Sequence, residues 1–153
     1  MSVFTGNAII SSVVESEKQF YGTGNRKNSC ARVFLKRGEG IVLVNKKDPN
    51  IYFKSKRNGC GIFLDIFRNV GIEEKFNMSI FVAGGGLSGQ FSAVQYGIAK
   101  AIISYGRTVG EGFFVGLKKK VRDLGLVTRD ARRVERKKFG LRKARKRKQY
   151  SKR

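Results

Sequence analysis

Residues 84–89, Gly84-Gly85-Gly86-Leu87-Ser88-Gly89, are the stretch best suited to hold a phosphate. They follow an alternating run, Met78-Ser79-Ile80-Phe81-Val82-Ala83, which reads as a strand. After them Phe91, Val94, Ile98, Ile102 and Tyr105 recur at steps of three and four, the spacing of an amphipathic helix. Glycines let backbone N–H groups come close to a ligand, and the first N–H groups of a helix present positive charge to an anion. The letters match G-x-G-x-x-G, the dinucleotide fingerprint. The rest of that motif is missing. The unit lies past the midpoint of a short chain, and residues 107–112 form a glycine-punctuated stretch where a second apolar strand ending in an acidic residue is required. Without G-K-[ST] it is not a Walker loop either. Gly84, Gly85, Gly86, Ser88, Gly89 and Gln90 are therefore expected to seat a phosphate, with no cofactor; a nucleotide-binding enzyme using Gly84–Gly89 is the alternative.

Other chemistry is scarce. The 153 residues include no histidine, and Cys30 and Cys60 stand far apart with no CxxC. That removes the common zinc sites and any histidine-based triad. Both thiols read as small buried apolar residues in a reducing compartment. Asp65, Glu73 and Glu74 are the nearest thing to a carboxylate cluster. They lack metal-ligand spacing and a partner acid or base, so a solvated face is expected and an enzyme is not.

What the chain has in abundance is positive charge, a formal +22. Residues 129–153 hold 14 of its 33 Lys and Arg: Arg129, Arg132, Arg133, Arg136, Lys137, Lys138, Arg142, Lys143, Arg145, Lys146, Arg147, Lys148, Lys152 and Arg153. Only Asp130 and Glu135 oppose them, and the large apolar residues are just Val134, Phe139, Leu141 and Tyr150. Such a segment cannot bury enough to offset its ordering entropy, so it needs a polyanionic surface to order it. Cations alternating with Gly, Ala and single aromatics suit threading between phosphates while a ring stacks on a base. A nuclear-import signal needs far fewer charges. The body is basic too, so nucleic acid, and RNA in particular, is the expected partner. Comparable affinity for duplex DNA and structured RNA would instead mark a DNA-compacting protein. An anionic membrane fits less well, because no apolar run approaches the roughly 20 residues of a span.

The elements that position these residues follow from pattern. Residues 3–14, rich in Val, Ile and Thr, read as a first strand or an extended arm. Residues 21–29, Tyr-Gly-Thr-Gly-Asn-Arg-Lys-Asn-Ser, read as a turn whose glycines, hydroxyls and adjacent Arg26 and Lys27 can approach phosphate. Residues 30–35 form a strand and 41–44 its hairpin partner, with Gly38-Glu39-Gly40 as the turn and Arg32, Lys36 and Arg37 on its exposed edge. Residues 45–50, holding the only proline, are a loop; 51–53 are a short apolar anchor, followed by basic KSKR. Ile62, Phe63, Ile66, Phe67 and Val70 mark a helix over 61–70 capped by Gly71. In the long helix Ala93, Gly97 and Ala101 permit close packing on a sheet, and Gly106 ends it. Residues 107–116 are an irregular insertion. Leu117, Val121 and Leu124 form a last short helix capped by Gly125, and Leu126-Val127-Thr128 closes the body. The expected core is Val33, Leu35, Val42, Val44, Ile80, Val82, Val94, Ile98 and Ile102.

Four stretches carry a resemblance: YGTGNRKNSCARVFL (21–35), GGGLSGQFSAVQYGIAKAI (84–102), LVTRDARRVERKKFGLRKAR (126–145) and the final SKR. In kind and order they resemble the bacterial-type family of small-subunit ribosomal protein nine. The resemblance runs from about residue 20 to the end, and its last block is the most specific. It departs at Asn25, where the family has Arg, and at Lys148 and Tyr150, where Pro and Phe are usual. It implies an α+β fold, a small mixed β-sheet with helices packed on one side as in the second domain of ribosomal protein five, plus a long basic C-terminal extension. It implies a structural role, with small-subunit rRNA and neighbouring head proteins as partners and the tail reaching the peptidyl-site tRNA through Ser151, Lys152 and Arg153. The expected organisation is an arm at 1–19, an rRNA-binding body at 20–128 and the tail at 129–153. The SKR ending points to a bacterial or organellar ribosome. Residues 1–20 lack a signal-peptide or transit-peptide pattern. With twelve Phe, plentiful Lys, Ile and Asn, and one Pro, this favours a plastid over a bacterial cytoplasm.

Overall fold

Period-two alternation over Phe20–Arg26 and Ser29–Arg37 makes two strands, β1 and β2, with every second residue buried. The computed structural model describes residues 18–53, 59–72 and 75–152. Strand β3 is Val42–Val44, α1 is Pro49–Tyr52, α2 is Gly59–Val70 and β4 is Phe76–Ala83. Helix α3 runs over Leu87–Val109 and α4 over Glu111–Asp123. The four strands form one mixed sheet in the order β1-β2-β4-β3, and the helices pack on one of its faces. The α+β class read from the sequence is the one observed. All nine expected core residues are buried, joined by a ring cluster in which Phe63 stacks on Phe91 at 5.0 Å and Phe67 on Phe76 at 5.7 Å.

Several local expectations are corrected. Residues 21–26 are not a turn but most of β1; only Lys27 and Asn28 turn. Gly22 and Gly24 are there because the backbone of α3 lies against them. A Cβ on Gly22 would come within 2.2 Å of the Gly97 carbonyl oxygen, and one on Gly24 within 1.9 Å of that of Ala93. The small α3 residues Ala93, Gly97 and Ala101 do meet the sheet, and glycines of β1 are what they meet.

Strand β3 is not the hairpin partner of β2. It pairs in parallel with β4, which lies between them. The 38–41 loop needs to step across two strand spacings, roughly 10 Å, which four residues can span. Asn77 on β4 catches it there, its Oδ1 accepting from the N–H groups of Gly40 and Ile41 at 3.0 Å each. Residues 49–52, expected as loop and anchor, form one helical turn. Asp48 caps it, accepting from Asn50 N–H at 2.7 Å, and Phe53 beyond it is fully buried.

Gly106 does not end α3. It is buried where α4 crosses, and a Cβ there would meet Leu117 at 3.4 Å, so the absence of a side chain serves helix packing rather than termination. The break comes at Gly110, with φ 153°; of the expected irregular insertion, residues 107–109 continue α3 and 111–116 open α4, which runs on through the expected last helix to Asp123. Gly71 and Gly125 do occupy the left-handed caps expected of them, at φ 81° and 70°. Lys120 reaches from α4 to donate to the Val70 carbonyl at 3.0 Å, closing the end of α2. Cys30 is exposed rather than buried, since it faces the side of the sheet without helices. Residues 3–14, the basic run at 54–57, Glu73, Glu74 and the Cys60 side chain lie outside what is described.

Candidate nucleic-acid interface

Three segments distant in sequence meet at one end of the sheet. The β1–β2 turn lies directly under the glycine loop. Gly84 and Gly85 take left-handed φ of 74° and 62°, and a Cβ on Gly85 would sit 2.2 Å from Ser29 Oγ. Gly89 is similarly close, 2.9 Å from the same oxygen. These three glycines are therefore required by contact with the turn. Gly86, the N-cap of α3, is different: nothing lies within 4 Å of its side-chain position, and no side chain caps the helix. The N-terminus of α3 is thus left without a side-chain cap beside open space, as an anion seat requires.

Gln90 holds this loop in place. Its Nε2 donates to the Gly84 carbonyl at 3.0 Å, while its Oε1 accepts from the Tyr52 hydroxyl at 3.0 Å. Asn45 completes the clamp. It donates to the Val82 carbonyl and accepts from the Val82 N–H, both at 2.9 Å, and donates to the Tyr52 hydroxyl at 3.3 Å. Neither Asn45 nor Tyr52 was singled out from the sequence. The usable hint was that Asn tolerates the left-handed region, which Asn45 occupies at φ 48°. Ser88 bonds within the helix, its carbonyl accepting from the Ser92 hydroxyl at 3.3 Å.

The third segment is the root of the tail. Asp130 accepts from Arg26 at 2.9 Å, and Arg26 also donates to the Arg132 carbonyl at 2.7 Å. Arg26 and Asp130 are mostly covered, at 17% and 21% exposure, so Arg26 anchors the tail and does not project from the turn. Arg129 lies beside Asn25, Tyr96 and Lys100. Past this anchor Arg133 and Val134 join Lys27, Asn28, Gly85 and Gly86 around an open groove of about 440 Å³. Lys27 and Arg133 therefore face the open end of α3 together. A phosphate there would meet two cations and a helix N-terminus at once.

Beyond the groove the tail has no helix or strand among its described residues, and all of its described Lys and Arg are exposed. Glu135 pairs with Lys138 and Arg145, each at 2.9 Å, and a turn at Gly140 with φ 76° folds the segment back. Arg136, Lys137, Lys138, Phe139 and Lys148 line a second open concavity of about 480 Å³. Phe139 and Tyr150 lose no surface to the protein, at 105% and 97% exposure. Arg142, Lys143, Lys146, Arg147, Ser151 and Lys152 continue along it; Arg153 lies outside the described residues. Arg32 is not part of this end. It stands on the open face of the sheet, opposite Phe81.

The anchor sets a pH window. Hydrogen bonds from Arg132, then the charges of Arg132 and Arg26, hold the Asp130 carboxyl at about 2, against its ordinary 3.8. A depressed carboxyl stabilises the folded contact fully above the ordinary value and loses that contribution as pH falls through the lowered one. Arg132, two residues away, is the main cause and Arg26 the smallest. The Asp130–Arg132 turn at the tail root should therefore be intact above about pH 3.8 and loosen progressively as pH falls towards 2. Carboxyl chemical shifts of Asp130 would read this directly. In Asp130→Asn, residues 129–133 should exchange their amides faster at neutral pH than in the native chain.

Among the described residues no cluster of His, Cys, Asp and Glu could hold a metal ion, and no helix is long and apolar enough to cross a membrane. The sequence pattern of one protein family, described as ribosomal protein S9/S16, matches residues 24–153.

Proposed function

The chain belongs to the ribosomal protein S9/S16 family, and from that premise we propose how its parts divide the work. Membership makes it a structural protein of the small ribosomal subunit that binds rRNA and works among other ribosomal proteins. Families of this kind are in general not enzymes.

In our reading residues 20–128 are an rRNA-binding body in the head of the subunit, residues 1–19 an arm, and residues 129–153 a tail that runs through rRNA to the peptidyl-site tRNA. The observation that carries this is the exposure of every described tail cation together with Phe139 and Tyr150. A segment whose cations and rings stay exposed on its own protein is built for another surface. The groove at Lys27, Gly86 and Arg133 holds an rRNA phosphate at the root, and the cations from Arg136 to Lys148 neutralise phosphates along the path. From Gly140 to Arg153 an extended chain spans about 45 Å, enough to leave the body and cross packed RNA. Ser151, Lys152 and Arg153 arrive last, as donors to the tRNA backbone, where guanidinium can grip two oxygens and ammonium acts as a point charge. The abundance of Phe and the single Pro favour a plastid ribosome over a bacterial one.

Deleting residues 150–153 should leave the protein co-sedimenting with small subunits at moderate salt while tRNA dissociates faster from the peptidyl site. Unchanged tRNA retention would remove the tip from decoding. Failure of the full chain to co-sediment would overturn the ribosomal assignment itself.

A further inference from the structure

The face of the sheet on which no described helix packs does not look like an ordinary solvated face. Tyr21, Phe34 and Phe81 come from three neighbouring strands and form one aromatic row. The Tyr21 and Phe34 rings lie 5.0 Å apart and tilted, and Phe34 meets Phe81 edge-on at 5.9 Å. Tyr21 and Phe81 are each 46% exposed, and Leu43 on β3 extends the row. Exposed aromatics in contact across three strands, with no core to join, mark a surface that something covers.

The charges around them select what that is. By register the face carries Tyr21, Thr23 and Asn25 on β1, Cys30, Arg32, Phe34 and Lys36 on β2, Leu43 on β3, and Asn77, Ser79, Phe81 and Ala83 on β4. Arg32 stands opposite Thr23 and Phe81 in the register, on the same face as the rings, and Lys36 lies two residues beyond Phe34. No acidic residue occupies any of these positions. Rings flanked by cations, without carboxylates, complement a strand of nucleic acid: bases stack on the rings while Arg32 and Lys36 take the phosphates. Duplex RNA hides its base faces, so it could use the cations but not the rings.

We propose that this face is a second RNA-binding surface, separate from the tail and groove, which takes an unpaired RNA segment with its bases stacked on Tyr21, Phe34 and Phe81. The proposal rests on the reading of the chain as an rRNA-binding protein and adds the class of RNA and the rings that hold it. Tyr21 and Phe81 are half exposed, so removing them costs the fold little.

The test compares the full chain with Tyr21→Ala/Phe81→Ala on two probes, a 12-nucleotide oligoadenylate and a 12-base-pair RNA duplex. The double variant should bind oligoadenylate at least about 5-fold more weakly for each ring removed and bind the duplex unchanged. Tyr21→Phe/Phe81→Tyr should restore oligoadenylate binding. Since the chain has no tryptophan, Tyr21→Trp should report oligoadenylate by fluorescence quenching and ignore the duplex. Equal oligoadenylate affinity for the double variant and the native chain would overturn the proposal. So would crosslinks in assembled subunits that place another protein, not RNA, on Phe81. A native chain that binds neither probe nor rRNA would instead overturn the wider rRNA-binding assignment.

Discussion

Removing residues 129–153 should flatten the salt dependence of rRNA binding by several units of slope. Each phosphate neutralised contributes about 0.7–0.9 to the fall of log K with log salt. The deleted segment holds 14 cations. Arg132, Lys138 and Arg145 are partly occupied by Asp130 and Glu135, and the described remainder face solvent. If about half of the 14 reach phosphates, the slope falls by about 5, and between 50 and 200 mM salt the intact chain loses about a thousandfold more affinity than the truncated one. Filter binding or fluorescence anisotropy over that range gives both slopes. The truncated body should still melt cooperatively, because no described residue beyond Thr128 belongs to the core. An unchanged slope would make the tail a bystander and move the binding onto the groove and the sheet.

The largest effect on stability should come from a single methyl group. Gly24→Ala would place a carbon 1.9 Å from the Ala93 carbonyl oxygen and 2.4 Å from the Gly97 nitrogen, both backbone atoms of α3. A side chain can rotate away from such a clash, but a helix backbone must move as a body, and α3 is buried along most of this face. Overpacking of ordinary cores costs about 1–3 kcal/mol, so a clash with backbone should reach or exceed the upper end. Domains are stable by about 5–15 kcal/mol in total. The melting temperature should fall by about 12 °C or more. Gly116→Ala makes the control. That position lies inside α4 with open space around it, so the same substitution should raise stability by up to about 1 kcal/mol. If both variants melt like the native protein, the close approach of α3 to β1 is wrong.

Some of this molecule was legible from one line of residues. The unit of β4, glycine loop and α3 could be read because its signals are local: period two, then glycines, then steps of three and four. The core residues followed from the same periods, since a residue's face is set by its own strand or helix. Charge needed still less. The tail's 14 cations against two acids point to a polyanion whatever their arrangement, because Coulomb attraction over a Debye length is insensitive to geometry.

What failed was what depends on distant partners. Glycine has one local signature for a turn, a cap and a close approach. Gly22, Gly24 and Gly106 thus read as loop and terminator along the chain, when each is a place where α3 or α4 comes within contact. Strand pairing is non-local, so Val42–Val44 could be recognised as a strand without revealing that β4 would enter between it and β2. The same holds for Arg26. Its charge suggested a phosphate, but it folds against Asp130, 104 positions on, and anchors the tail instead. Tyr21, Phe34 and Phe81 look ordinary along the chain, since strands are commonly aromatic; only the sheet's register sets them side by side on a face that no described helix covers. The sequence by itself determined the inward faces of the main strands and helices and that the partner is a polyanion, because these depend on each residue and its near neighbours. Only the tertiary structure decided which glycines touch, which cations are free to meet RNA and which surface is left open, because those are properties of pairs brought together by folding.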